Sequence, residues 1–525
     1  MNSVETIFIL MFAAVLLVAI AQKFHFPYPI ALVLGGTAIS FIPGLNTFHL
    51  DPSLILVIVL PPILYYAAFE ISFRKFKQNW EDIFSLALGL VVATTLVVGV
   101  IFKWMFPEYP WALAFAFGAI VSPPDAISVT TILRRFKISS RLVTLLEGES
   151  LVNDASALVL YKLAVTAILS GTFSLMEGEM EFLQKVSGGI VIGFILGFSL
   201  QLFSRHYLEP VLGVLFSFTI PYITYITASF FDVSGVLAVV VNGLIGSRIL
   251  LSHPSSLRRI LGYANWDIFI IFLNCFVFIL IGLQLRTITS MLTMQQMVLY
   301  TGYAFLVTLA MIVVRMIWVY AKSGISYLRA LKDSKSSAQC RKILREGAVI
   351  GWAGMRGIVS LAAAIALPFT LPNGSPLEGR NEIIFITFVV ILITLLIPGL
   401  SLPYLIRWLK IQSDAGHIDE KKVRGQLAKI ADEKLRHLQA THIINEMEFD
   451  FLKAYFIAQN RVQEMFHAAE YKLQNVELAR LKVIQAQRKH LFKMWQVNEI
   501  DDKLLSHLEN ELDMAEVHIA RGQLN

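Results

Sequence analysis

The sequence predicts an all-α polytopic membrane protein of about thirteen transmembrane helices, followed by a helical cytoplasmic tail. Three observations predict it. Apolar residues make up 56% of the 525-residue chain and charged residues only 16%, against about 25% charged in a soluble domain. The apolar residues are gathered into segments long enough to cross a bilayer. The charge is unevenly spread: 16 of the 44 Lys and Arg and 18 of the 38 Asp and Glu fall in residues 411–525, so the tail is net −2 and the remainder net +8. These features exclude a water-soluble enzyme, a disordered chain and a nucleic-acid binder, despite the net charge of +6. Cys275 and Cys340 cannot form a disulfide scaffold and read as free thiols.

The segments follow in order. The first covers about residues 4–22, and the start of the chain, Met1-Asn2-Ser3-Val4-Glu5, lacks the positive region expected of a cleaved leader. Phe26-Pro27-Tyr28-Pro29 separates it from a short second segment, 28–42, which stops at Pro43-Gly44. The third spans 53–71. The fourth, 83–105, stops before Pro107-Glu108-Tyr109-Pro110, and the fifth covers 111–131. The sixth to eleventh lie at 142–169, 185–204, 209–228, 234–251, 265–285 and 297–321, and the last two at 346–368 and 382–408. Loop charges support the count. One set of alternate loops holds 19 Lys and Arg, from Lys23 to Arg345; the other holds only Lys103, Lys185, Arg286 and Arg380. Cytoplasmic loops carry the excess of positive charge, so the N-terminus is expected outside and the tail inside.

Residues 1–410 therefore read as the membrane domain and 411–525 as a cytoplasmic helical domain. The tail has few helix breakers and mixed charges at helical spacing, as in Asp432-Glu433-Lys434-Leu435-Arg436. Two to four amphipathic helices are expected there, packed on each other, on the membrane domain or on a regulatory partner. Seven of the eleven His lie in this tail, as surface residues or as a pH-sensing array.

Ionisable residues inside spans are costly and point to function. In Val121-Ser122-Pro123-Pro124-Asp125-Ala126, two prolines interrupt the fifth span. Irregular backbone at membrane depth is tolerated where it is buried in protein or lines a cavity. The freed carbonyls and Asp125 are both oxygen ligands suited to a cation; the plainer alternative is a kink with Asp125 capping the next helix. The sixth span carries Glu147-Gly148-Glu149-Ser150-Leu151-Val152-Asn153-Asp154. Ser150 and Asp154 are four apart and share a face, as do Glu149 and Asn153. A charged carboxylate out of water is costly, so a proton and a cation compete to neutralise Asp154. The twelfth span is loosened by Gly347, Gly351, Gly354 and Gly357 around Arg356. Arg356 at that depth requires an acid, and Glu149 is the expected partner in a structural ion pair. An odd offset of seven spans gives the fifth and twelfth opposite directions, as inverted repeats of a transporter require. Glu70 stands at the inner end of the third span. Lys162 is expected to snorkel, and Arg315 and Asp267 have no visible partner.

These motifs resemble the sodium/proton exchangers of the monovalent cation/proton antiporter family, electroneutral branch. The resemblance rests on Ser122-Pro123-Pro124-Asp125-Ala126, the Gly148-Glu149-Ser150…Asn153-Asp154 run, Gly351-Trp352-Ala353-Gly354-Met355-Arg356-Gly357 and Phe278-Ile279-Leu280-Ile281-Gly282-Leu283-Gln284-Leu285, across about residues 5–410. It implies two interrupted helices crossing at mid-membrane, a core domain moving against a dimerisation domain, and a homodimer in a plasma membrane. It implies that Asp154 carries cation and proton, that Ser150, Asp125 and Glu70 are further cation ligands, and that Glu149 and Arg356 pair. Pro124 stands where the family often has Thr, so a side-chain oxygen is lost and backbone carbonyls remain. Asn153-Asp154, rather than the Asp-Asp of electrogenic relatives, implies one-for-one exchange.

The function expected is Na⁺/H⁺ antiport, with Li⁺ as a further substrate and no cofactor. A K⁺/H⁺ exchanger is the alternative. A cation channel lacks a filter-like loop here. A hydrolase lacks His-Glu-x-x-His, and an ATP-driven pump lacks a phosphate-binding Gly-x-x-x-x-Gly-Lys loop.

Overall fold

The computed structural model describes residues 3–24, 26–42, 57–71, 73–133, 136, 138–170, 175–251, 256–290, 292–332, 337–411, 420–441, 443–454, 483–491, 494, 508 and 512. Two compact units emerge, Met1–Asp414 and Ala415–Asn525.

The first unit is built of helices joined by short connections. It begins with α1 (Ser3–Lys23), α2 (Tyr28–Ser40) and α3 (Leu60–Glu70). Prolines open α2 and α3, where a missing N–H leaves no bond unmade. Residues 53–56 of the expected third span lie outside the described residues. Next come α4 (Phe73–Gln78), α5 (Trp80–Phe84) and α6 (Val91–Met105). Residues 85–90 between α5 and α6 form a π-helical turn. Such turns open the backbone ladder, and here Ser156 donates to the Ala87 carbonyl at 2.6 Å. The Trp318 indole lies on the same turn, donating to Ser85 Oγ at 3.2 Å.

The fifth segment is two helices, α7 (Trp111–Val121) and α8 (Ala126–Leu133). Then follow α9 (Ser140–Ser170), α10 (Leu175–Tyr207), α11 (Pro210–Phe230), α12 (Gly235–Leu251), α13 (Ser256–Thr289) and α14 (Met294–Lys332). The twelfth segment is also split, into α15 (Ser337–Trp352) and α16 (Ile358–Ile365), and α17 (Arg380–Leu409) closes the unit. Among the described residues seven helices are long and apolar enough to cross a membrane on their own, with shorter apolar helices between them.

Two hydrophobic cores hold these helices. The larger joins α1, α2, α5–α9 and α13–α17. The smaller joins α3, α11 and α12 to Trp266 of α13 and to Leu151 and Ala155 of α9. Its centre is aromatic: Tyr66 stacks on Trp266 at 5.6 Å between ring centroids, with planes only 8° apart. At one end of the larger core, Asp82 receives Arg141 at 3.0 Å and Lys322 at 3.1 Å, tying α5, α9 and α14 together.

In the second unit, α18 (Glu420–Ala440) carries an Asp432–Arg436 pair at 2.8 Å, one turn apart. A helix over 446–454 starts with a reciprocal cap: the Glu448 N–H donates to Asn445 Oδ1 and the Asn445 N–H to Glu448 Oε2, each at 2.8 Å. Residues 483–491 are helical, and residues 455–482 and 513–525 lie outside the described set.

Candidate functional site

Both breaks meet. Pro123 and Pro124 have no N–H, so the ladder of α7 ends at Val121 and α8 begins afresh at Ala126. On the other side, residues 353–357 separate α15 from α16 without helix. The Asp125 N–H donates to the Met355 carbonyl at 2.7 Å, joining the two breaks backbone to backbone. Gly357 permits this approach: a Cβ there would sit 2.9 Å from the Cβ and Cγ of Asp125. Gly357→Ala is expected to push Asp125 out of position, slow transport and cost about 1–3 kcal/mol of stability through overpacking. Transport initial rates together with the melting temperature of the variant check this.

Four half-helix ends meet here, and three of them have a counter-group among the described side chains. Asp125 caps α8: its Oδ2 accepts from Ser128 Oγ at 2.6 Å and from the Ser128 N–H at 3.3 Å. Arg356 serves the carbonyl end of α7, donating to Val121 O at 3.0 Å, to Ser122 O at 3.3 Å and also to Gly354 O. A guanidinium at a helix C-terminus balances the partial negative charge of the carbonyls. Arg315 of α14 serves the end of α15 by donating to Ile350 O at 2.9 Å.

Here the structure corrects the expected ion pair. Glu149 is held by Arg315, which grips both carboxylate oxygens, Nη2 to Oε2 at 2.7 Å and Nη1 to Oε1. Both side chains are almost fully buried. Arg356 is equally buried but bonds backbone carbonyls, not Glu149. An arginine at membrane depth needs oxygens, and two carbonyls at a broken helix meet that need as well as an acid does.

The freed carbonyls also differ from expectation. Those of Val121 and Ser122 are engaged by Arg356, and the Pro124 carbonyl accepts from Asn153 Nδ2 at 3.1 Å. Pro124 and Asn153 thus fasten the break to α9, and these three backbone oxygens already carry protein hydrogen bonds. Asn153 is completely buried, and its Oδ1 has no partner among the described residues.

A cavity of about 380 Å³ opens beside the crossing. Asp154, Ser150, Asp125 and Glu70 all line it, so the four residues singled out as cation ligands come together. Glu147 and Asp267 line it as well. Sequence reasoning assigned neither a role; the available signal was their ionisable character inside or beside a span. No Lys, Arg or His is among the described residues lining the cavity. Glu70 and Asp267 are exposed, Asp125 and Ser150 half-buried, and Asp154 is 9% exposed. Among the described residues no side chain donates to the Asp154 carboxylate. A carboxylate so placed can be neutralised by one proton or by one monovalent cation, and the cavity supplies only oxygen ligands for the latter. Lys162 is exposed on the far part of the same helix.

Comparison with known proteins gives a consistent result. The profile of the sodium/hydrogen exchanger transmembrane family matches residues 9–408. An uncharacterised Na⁺/H⁺ exchanger of Mycobacterium tuberculosis is 30% identical over 520 residues, covering 97% of this chain and 94% of that protein. A sodium, potassium, lithium and rubidium/H⁺ antiporter of Bacillus subtilis is 32% identical over 391 residues, covering 72% of this chain and 58% of that protein. The solved sodium proton antiporter of Methanocaldococcus jannaschii shares the fold, with a TM-score of 0.60 at 20% identity over 78% of this chain and 99% of that one.

Proposed function

The chain belongs to the sodium/hydrogen exchanger family, and on that premise we propose that Asp154 is the group that takes Na⁺ and H⁺ in turn. The protein is an integral membrane antiporter that exchanges Na⁺ for H⁺; it is a secondary transporter and not an enzyme. The observation that carries the assignment is the Asp154 carboxylate itself, almost buried at the cavity and without a protein donor among the described residues. Ser150, one turn away on the same face, supplies a hydroxyl oxygen to the ion. Asp125 and Glu70 hold negative charge along the cavity and favour a cation over an anion. Asn153, Pro124, Glu149 and Arg356 keep the broken helices and α9 in register without touching the ion.

The stoichiometry follows from that single carrier. One Na⁺ or one H⁺ neutralises Asp154 equally, so each crossing moves the same charge and membrane voltage does not drive exchange. Asp125 already accepts two hydrogen bonds from Ser128, which suits a group that stays ionised and cycles no proton. In proteoliposomes with an imposed K⁺-diffusion potential, the Na⁺/H⁺ rate is expected to be unchanged. A rate that follows the potential would make Asp125 a second proton carrier.

A broader cation range is the second reading. It is favoured by the Bacillus subtilis relative, which is named as an antiporter of sodium, potassium, lithium and rubidium. Exchange assays with Na⁺, Li⁺ and K⁺ in turn decide between the two. The working unit is a homodimer in the plasma membrane with the N-terminus outside and the tail in the cytoplasm. That orientation rests on the 19 basic residues in one set of loops against 4 in the other. The tail binds a regulator or the membrane domain, and truncation at 411 tests whether it sets the pH dependence.

A further inference from the structure

The cavity has a second polar wall that the Asp154 assignment leaves without a role. It is built by α3 and α13. Tyr66 is buried and stacked on Trp266, and its hydroxyl donates to Asp267 Oδ1. The same hydroxyl lies 3.5 Å from Glu70 Oε1. A phenol carries one proton and donates it to one carboxylate at a time, and here the shorter contact is to Asp267. Asn274 stands two turns further along α13, on the face that carries Asp267, about 10 Å deeper by helix rise. It is 3% exposed, it lines the cavity, and its Oδ1 has no protein partner among the described residues. Ser360 of α16 also lines the cavity from a buried position, and its Oγ likewise lacks a partner. Buried amide and hydroxyl oxygens left unsatisfied are costly, and a cation arriving without part of its water needs such neutral oxygens.

The geometry points to a second cation station, in which exposed Asp267, positioned by Tyr66, receives the ion and Asn274 Oδ1 replaces lost water on its way to Asp154. Asp267 is exposed and Asp154 is not, so the order along the cavity runs from the solvated acid to the buried one. Asp267 acts through charge, which does not distinguish one alkali cation from another. Asn274 acts through a close neutral oxygen, which matters most for the ions that hold water most tightly, Li⁺ and Na⁺. The station rests on Asp154 being the carrier, since it feeds that site.

The test measures initial exchange rates of the full chain in proteoliposomes against Na⁺, Li⁺ and K⁺ concentration. Asp267→Asn is expected to raise the half-saturating concentration about ten-fold for every cation, with the maximal rate kept within about two-fold, the scale of one partly screened charge contact. Asn274→Ala is expected to lower the Na⁺ over K⁺ preference about five-fold, as loss of one polar ligand would. Tyr66→Phe keeps the Asp267 charge but frees the side chain, and raises half-saturation about three-fold; it and Asn274→Ala decide the matter if Asp267→Asn does not fold. A merely structural Asp267 would lower melting temperature and maximal rate while leaving half-saturation and ion preference alone, and that result overturns the station. Asp154→Asn in the same assay separates the two ideas. If it abolishes exchange while the α3–α13 variants keep wild-type curves, the station falls and the carrier stands. If it retains exchange, the carrier falls, and with it the reading of the station as a feeder.

Discussion

Asp154→Asn is expected to abolish cation-coupled proton movement, by at least about 100-fold, while the protein still folds and melts normally. The substitution keeps size and shape and removes the only titrating group at that position. Nothing structural depends on its charge, since among the described residues no side chain is bonded to it. Its neighbour Asn153 holds the Pro124 carbonyl, and Ser156 holds the π-turn carbonyl of Ala87, so α9 stays fastened on both sides of the change. An amide can neither release a proton nor balance a monovalent cation. Sodium-driven quenching of a pH-sensitive dye in proteoliposomes measures the loss. Normal exchange by a well-folded Asp154→Asn would refute the assignment.

Arg315→Ala is expected to cost about 3–5 kcal/mol of stability, because it strands Glu149 as a buried charge. The two-pronged contact is nearly free of solvent, so water cannot replace the lost partner. Arg315 also closes the end of α15 through Ile350 O, and that bond is lost with it. The double variant Glu149→Leu/Arg315→Met removes both charges and is expected to recover a large part of the loss. Melting in detergent, followed by tryptophan fluorescence, checks both. A double variant no more stable than Arg315→Ala would mean that Glu149 draws its stability from elsewhere, Arg356 being the nearest alternative cation.

Much of this was legible in the chain. Hydropathy and breakers located the helical segments, because an apolar run of about twenty residues has few alternatives to helix in a bilayer. Pro123-Pro124 and the glycines from Gly347 to Gly357 marked the two interruptions, because backbone chemistry is local. Ser150 and Asp154 were recognisable as one face of α9 from their spacing alone.

The sequence by itself determined the fold class, the places where helices break and the helix face that carries the carboxylate, since each depends on residues close in the chain. The tertiary structure alone decided which arginine meets Glu149, which carbonyls of the break remain available, and that Asp267 and Asn274 share the cavity with Asp154. Arg315 and Arg356 are both arginines at membrane depth, and hydropathy assigns them the same need for oxygen. Which one reaches the acid depends on the rotation and crossing depth of α14, α15 and α9. Those are set by close approaches such as Gly351 of α15 against the Met316 sulfur of α14 and Gly148 of α9 against Ile83 of α5, between residues distant in the chain, where only packing brings them within a few ångströms.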